Sequence, residues 1–186
     1  MLTSISPLGE RARHNRWAVT VTAYVLGSLL GGATTGVVLG AAGSVLPRSL
    51  LIAAAVCAVA AVVDVVRRLP TYRRQVDEDW LVRYRGWVYG LGFGYQLGLG
   101  FVTIVTSAAT YAVWLLELLS GGWRAALLIG VWFGLVRSLP VLGLRTATTP
   151  ERLRVMAFRL DQLSRGAGRV TVATLAASAV VLGVAA

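Results

Sequence analysis

The feature that most constrains this chain is the length of its stretches without charge. Trp17 to Pro47 carries no charged side chain, and a bilayer core about 30 Å thick needs only about 20 apolar residues in helical form. Four more stretches follow. Ser49 to Val66 is broken only by Asp64, and Gly86 to Gly122 has Glu117 as its sole charge. Trp123 to Leu144 carries Arg124 at its start and Arg137 within, and Val170 to Ala186 is rich in Ala and Val. A soluble domain has about a quarter of its residues charged; here the share is 14% and the mean hydropathy is +0.71. The expectation is an all-α polytopic membrane protein with five transmembrane helices.

The 18 basic residues are all arginine and give orientation. Arg11, Arg13 and Arg16 precede the first span. Arg67, Arg68, Arg73, Arg74, Arg83 and Arg85 lie between the second and third. Arg137, Arg145, Arg152, Arg154, Arg159, Arg165 and Arg169 lie at or between the fourth and fifth. Only Arg48 and Arg124 fall on the opposite side. In phase with five spans, this split places the N-terminus inside and the C-terminus outside a bacterial cytoplasmic membrane. The first span is about twice the length of a signal-peptide core, so it reads as an uncleaved helix.

Two segments repeat in parallel. Residues 17–70 and 87–140 each hold a Gly-rich span, an outer turn and a return span ending in V-R-x-L-P. Tyr24-Val25-Leu26-Gly27 matches Tyr95-Gln96-Leu97-Gly98, and Val66 to Pro70 matches Val136 to Pro140. This predicts two hairpins related by an axis along the membrane normal. The glycines of Gly27 to Gly43 read mainly as close helix packing. A straight helix over Trp87 to Leu119 would be about 50 Å long, which predicts a kink or an interfacial first turn, and Gly90–Gly100 reads either as close packing or as an unwound or kinked stretch lining a cavity. Beyond the second hairpin, 149–165 reads as an inner amphipathic helix drawn to anionic lipid, with Thr149 as N-cap and Pro150 at N1. Residues 170–186 read as the fifth span.

Polar groups inside a membrane are candidates for function because they are expensive there. Thr34 and Thr35 in the first span, with Thr103, Thr106 and Ser107 in the third, form an expected polar pathway between the repeats. The alternative is a hydroxyl bonded back to its own helix. Asp64 is the acid nearest two repeat-related arginines, and an Asp64–Arg137 ion pair joining the hairpins is expected, the alternative being that each side chain snorkels to the headgroups. Glu117 is placed at the outer interface, facing water. One cysteine (Cys57) and one histidine (His14) exclude a disulfide scaffold and a zinc site. No nucleophile–base, P-loop or metal-helix motif occurs, so no catalytic residue, metal or cofactor is expected. The arginines flank spans instead of forming one patch, which argues against nucleic acid.

The Gly-x-x-x-Gly steps of Tyr24 to Gly43 and the V-R-x-L-P returns resemble small transporter-like membrane domains of the DsbD/CcdA and LysE type. That resemblance implies a solute- or electron-handling membrane domain. The paired cysteines of the thiol-relay members are missing, and five spans stand in place of six, so no functional residue carries over. Two functions remain open at this point. One is a conduit for a small solute or ion between the repeats. The other is a non-catalytic membrane subunit or scaffold whose Gly-rich faces pack against a partner protein or a second copy.

The arginine split makes a direct prediction. Reporter fusions after Arg73 and Arg159 should read inside, and fusions after Arg48 and at Ala186 outside. A fusion at Ala186 that reads inside removes the five-span topology.

Overall fold

The computed structural model describes residues 5–66, 79–101, 105 and 107–186. Among them the chain is helical. A short α1 (Pro7–Ala12) precedes α2 (Trp17–Ala42), which a 3₁₀ turn (Gly43–Val45) links to α3 (Leu50–Val66). After α4 (Trp80–Arg83) come α5 (Gly86–Leu99), α6 (Ala109–Leu119) and α7 (Trp123–Ser138). A 3₁₀ segment (Leu139–Thr146) then leads into α8 (Pro150–Val184). Three helical stretches are long and apolar enough to cross a membrane: Trp17–Val45, Trp123–Thr146 and Pro150–Val184. Leu50–Val66 and Ala109–Leu119 are shorter apolar helices.

Helix α2 is the centre of the bundle, and it packs through missing side chains. A Cβ at Gly27 would collide with the Leu91 carbonyl, and one at Gly31 with the Tyr95 carbonyl. From the other side, a Cβ at Gly94 or Gly98 would strike the carbonyl of Tyr24 or Ser28. Residue numbers rise together along both helices, so α2 and α5 run parallel. On a second face, Gly32 abuts the Gly130 carbonyl, Gly36 the Ala126 carbonyl and Gly40 the Ala126 methyl. Here the numbers run in opposite senses, so α7 is antiparallel. Backbone-to-backbone approach of this kind replaces the hydrophobic effect, which is weak between helices in lipid, with dispersion contacts. Ser28 Oγ adds a 2.7 Å hydrogen bond to the Gly134 carbonyl across the second crossing.

Three expectations about elements need correction. The Gly90–Gly98 stretch is helical and packed against α2; it is not unwound. The break in the third span comes later, where α5 ends at Leu99 and Gly100 takes φ +84, a conformation that a side chain would strain. The inner helix of 149–165 and the span of 170–186 are one helix, α8, of 35 residues. Thr149 caps its start as expected, accepting from the Arg152 amide at 3.3 Å. Gly166 and Gly168 do not end it, since an isolated glycine costs a helix only about 1 kcal/mol.

The turn after α2 and the turn after α6 touch each other. Gly121 has φ +69, and the Arg48 side chain lies over it and donates to its carbonyl at 2.6 Å. Ala60, Ala61, Ala108, Ala112 and Leu175 form a second cluster that holds α8 and α6 against α3.

Since Gly32 and Gly130 meet backbone to backbone, Gly130→Ala should lower stability by about 1–3 kcal/mol or more. Gly143→Ala, where nothing lies within 4 Å, should be close to neutral. Thermal midpoints of the two purified variants in one detergent decide the matter. Equal midpoints would mean that the α2–α7 crossing is looser than described.

Candidate functional site

Two polar constellations and one lone acid lie inside the bundle. The first sits between the end of α5 and the start of α6. α5 ends level with the middle of α2, because Gly98 lies against Ser28 and Gly32. Leu118, near the end of α6, lies against Gly43 at the far end of α2. Eleven residues of helix rise about 15 Å, so α6 also begins near mid-length of the bundle. A helix start inside an apolar interior exposes amides that need acceptors. Asp64, reaching over from α3, supplies them. Its Oδ1 accepts from the Ala108 amide at 2.6 Å, and its Oδ2 accepts from Ser107 Oγ at 2.7 Å. A carboxylate at a helix N-terminus is also favoured by the helix dipole.

The expected Asp64–Arg137 ion pair is therefore not what forms, because the carboxylate is taken by the start of α6. Arg137 lies at the other edge of the break. Its guanidinium stacks 5.2 Å from the Phe133 ring centroid, and Nη1 lies 3.3 Å from where a Cβ on Gly100 would be. The two charges attend opposite ends of one interruption.

Of the expected polar pathway, Thr34, Thr35 and Ser107 are among the described residues. Thr34 Oγ1 donates to the Leu30 carbonyl at 2.8 Å and accepts from Tyr95 at 3.3 Å. Thr35 Oγ1 donates to the Gly32 carbonyl at 2.9 Å. Both hydroxyls are spent on their own helix. Ser107 belongs to Asp64. Thr103 and Thr106 lie outside the described residues, as do Arg67, Arg68, Asp77 and Glu78.

The second constellation escaped sequence reading. Glu10 is fully buried near the N-terminal ends of α2 and α5. Its carboxylate accepts from Tyr89 at 2.5 Å, from Arg13 at 2.6 Å and from Thr20 at 2.8 Å. Asn15 reaches Tyr89, and the Trp17 indole donates to the Ile5 carbonyl at 3.2 Å. Partial burial works to lower the Arg13 pKa, but its bonds to Glu10 and Tyr89 outweigh that and raise it. The clamp fastens α1 across the start of the bundle. Ser6 and Pro7, a cap followed by a first-turn proline, signalled α1. Nothing local signalled that Glu10 meets Tyr89, 79 residues away.

Glu117 is the third feature, and it corrects an expectation. Instead of facing water it is fully buried, and neither carboxyl oxygen has a hydrogen-bond partner. Its place on the same face as buried Thr110, two turns earlier, was the available clue. No group of three or more metal-ligating side chains occurs among the described residues.

If Asp64 caps α6 through Ser107 and the Ala108 amide, Asp64→Ala should cost about 1–3 kcal/mol by leaving those donors unmet. Asp64→Ala and Ser107→Ala should then be non-additive by about 0.5 kcal/mol or more. A double-mutant cycle on unfolding in detergent measures this, and strict additivity would dissolve the cap.

Comparison with known proteins bears on function. The chain is 32% identical over 153 residues to methylamine utilization protein MauF of Methylobacillus flagellatus, and 30% identical over 153 residues to MauF of Methylophilus methylotrophus. It is 32% identical over 151 residues to MauF of Paracoccus versutus. Each match covers 75% of this chain but only 54–55% of the relative, so the chain spans about half the length of the curated proteins it matches. No family model and no solved structure matches. These relatives replace the DsbD/CcdA/LysE-type resemblance and the transporter-like reading drawn from it: the chain is similar to MauF proteins over three quarters of its length.

Proposed function

We propose that this chain is a non-catalytic membrane subunit that serves methylamine utilisation by acting on or with another protein. The observation that carries this reading is the match to MauF proteins from three bacteria over 75% of the chain. The site geometry is in keeping with it. The interior polar groups Asp64, Thr34, Thr35, Glu10 and Tyr89 serve backbone ends, their own helices or one another.

The scaffold idea changes in one respect. The Gly-rich faces of α2 are used up against α5 and α7, so they are not the surface that meets a partner or a second copy. A partner instead meets the exposed apolar residues of α3 (Leu51, Val59, Val62, Val65) or of α7 (Leu128, Trp132). In this reading the chain crosses the membrane five times, with α5 and α6 sharing one crossing. The arginine split supports an inner N-terminus and contact of the inner loops with anionic lipid. The parallel run of α2 and α5, offset by about the repeat length, supports the two-hairpin repeat.

Deleting the gene in its own bacterium tests the function. Growth with methylamine as the substrate should fail or slow severalfold, growth on an unrelated carbon source should be unchanged, and the plasmid-borne chain should restore the first. Normal growth of the deletion strain on methylamine would end this reading.

A further inference from the structure

Glu117 has no role in the proposal above, and its surroundings define one. The side chain is 0% exposed. Its Oε1 lies 2.9 Å from where a Cβ on Gly130 would stand, at the point where Gly130 meets the Gly32 carbonyl. It therefore fills the space left by the glycines at the crossing of α2 and α7. Thr35, on α2 beside Gly32, already donates to the Gly32 carbonyl. Neither oxygen of Glu117 has a hydrogen-bond partner.

No charged group on the described elements around α6 is left for Glu117: α8 meets α6 through Leu175 at Ala108 and Ala112, beyond the last of its charges at Arg169, and Arg48 donates to the Gly121 carbonyl. On α2 there is only Tyr24, near Arg137. On α3 there are Cys57 and Asp64, the latter held by Ser107 and Ala108. On α7, Arg124 stacks on Trp123 and Arg137 on Phe133. An ionised carboxylate in an apolar interior with no donor and no counter-charge is far too costly to persist. A neutral acid of the same shape is tolerable.

We propose that Glu117 is an interior proton-binding site, a carboxylic acid that holds its proton in the folded bundle. The ligand is the proton itself, carried on one oxygen of the carboxyl. The proton exchanges with water only when α2, α6 and α7 part, so its occupancy reports on that crossing. This inference does not rest on the role in methylamine utilisation.

Infrared spectroscopy of the full chain in lipid vesicles at neutral pH tests it. The expected spectrum has a carboxylic C=O stretch, separate from the carboxylate bands, that moves down in frequency when glutamate is carbon-13 labelled. Glu117→Gln should remove that band and leave the thermal midpoint within a few degrees, because the amide has the shape of the neutral acid. A wild-type spectrum without the band would overturn the proposal, as would a band that survives Glu117→Gln.

Discussion

The structure depends on the contact between the backbone of α2 and those of its two neighbours. Gly27, Gly31, Gly94 and Gly98 bring α5 against one face, and Gly32, Gly36 and Gly130 bring α7 against another. Where carbonyls sit in the place of side chains, two consequences follow. Dispersion is maximal because many atom pairs reach optimal separation. Tolerance is minimal because even a methyl group has nowhere to go. The remaining elements are arranged around this three-helix unit: α3 and α8 pair through alanines, and α1 closes one end through Glu10.

The broken third span follows from the same packing. Once α5 is held close to α2 as far as Leu99, the chain turns at Gly100 and α6 begins about half-way along the bundle. Two helix ends then lie where water cannot solvate them. Asp64 meets one and Arg137 lies beside the other. Buried charges are often read as transport machinery, but here Asp64 caps the start of α6 and Glu10 is held by Tyr89, Arg13 and Thr20. Glu117 is the exception, for it meets no backbone end and no opposite charge.

Sequence reading succeeded where a length or a local rule was decisive. The third long stretch, with Glu117 as its sole charge, was too long for one straight helix, and α5 ends within it at Leu99. Thr149 and Pro150 marked a helix start that the structure shows. It failed where the answer lay in a neighbour far along the chain. Asp64 was matched to Arg137 through the repeat, yet the amide that claims it belongs to Ala108, 44 residues on. Glu117 was sent to water because it stands near a turn, although Gly130 leaves it a place inside. The midspan threonines looked like a pathway because their depth is visible in sequence while their hydrogen-bond acceptors are not.

By itself the sequence determined that the chain is helical and apolar enough for a membrane, because charge-free length and helical rise are local quantities. It also supplied the small residues without which α2, α5 and α7 could not meet. Only the tertiary structure decided which glycine faces which backbone, that those faces are consumed inside the molecule, and where each buried carboxyl finds a donor or finds none. The physical reason is that a hydrogen bond or a close approach depends on two distant segments at once. A sequence pattern shows only one of them at a time.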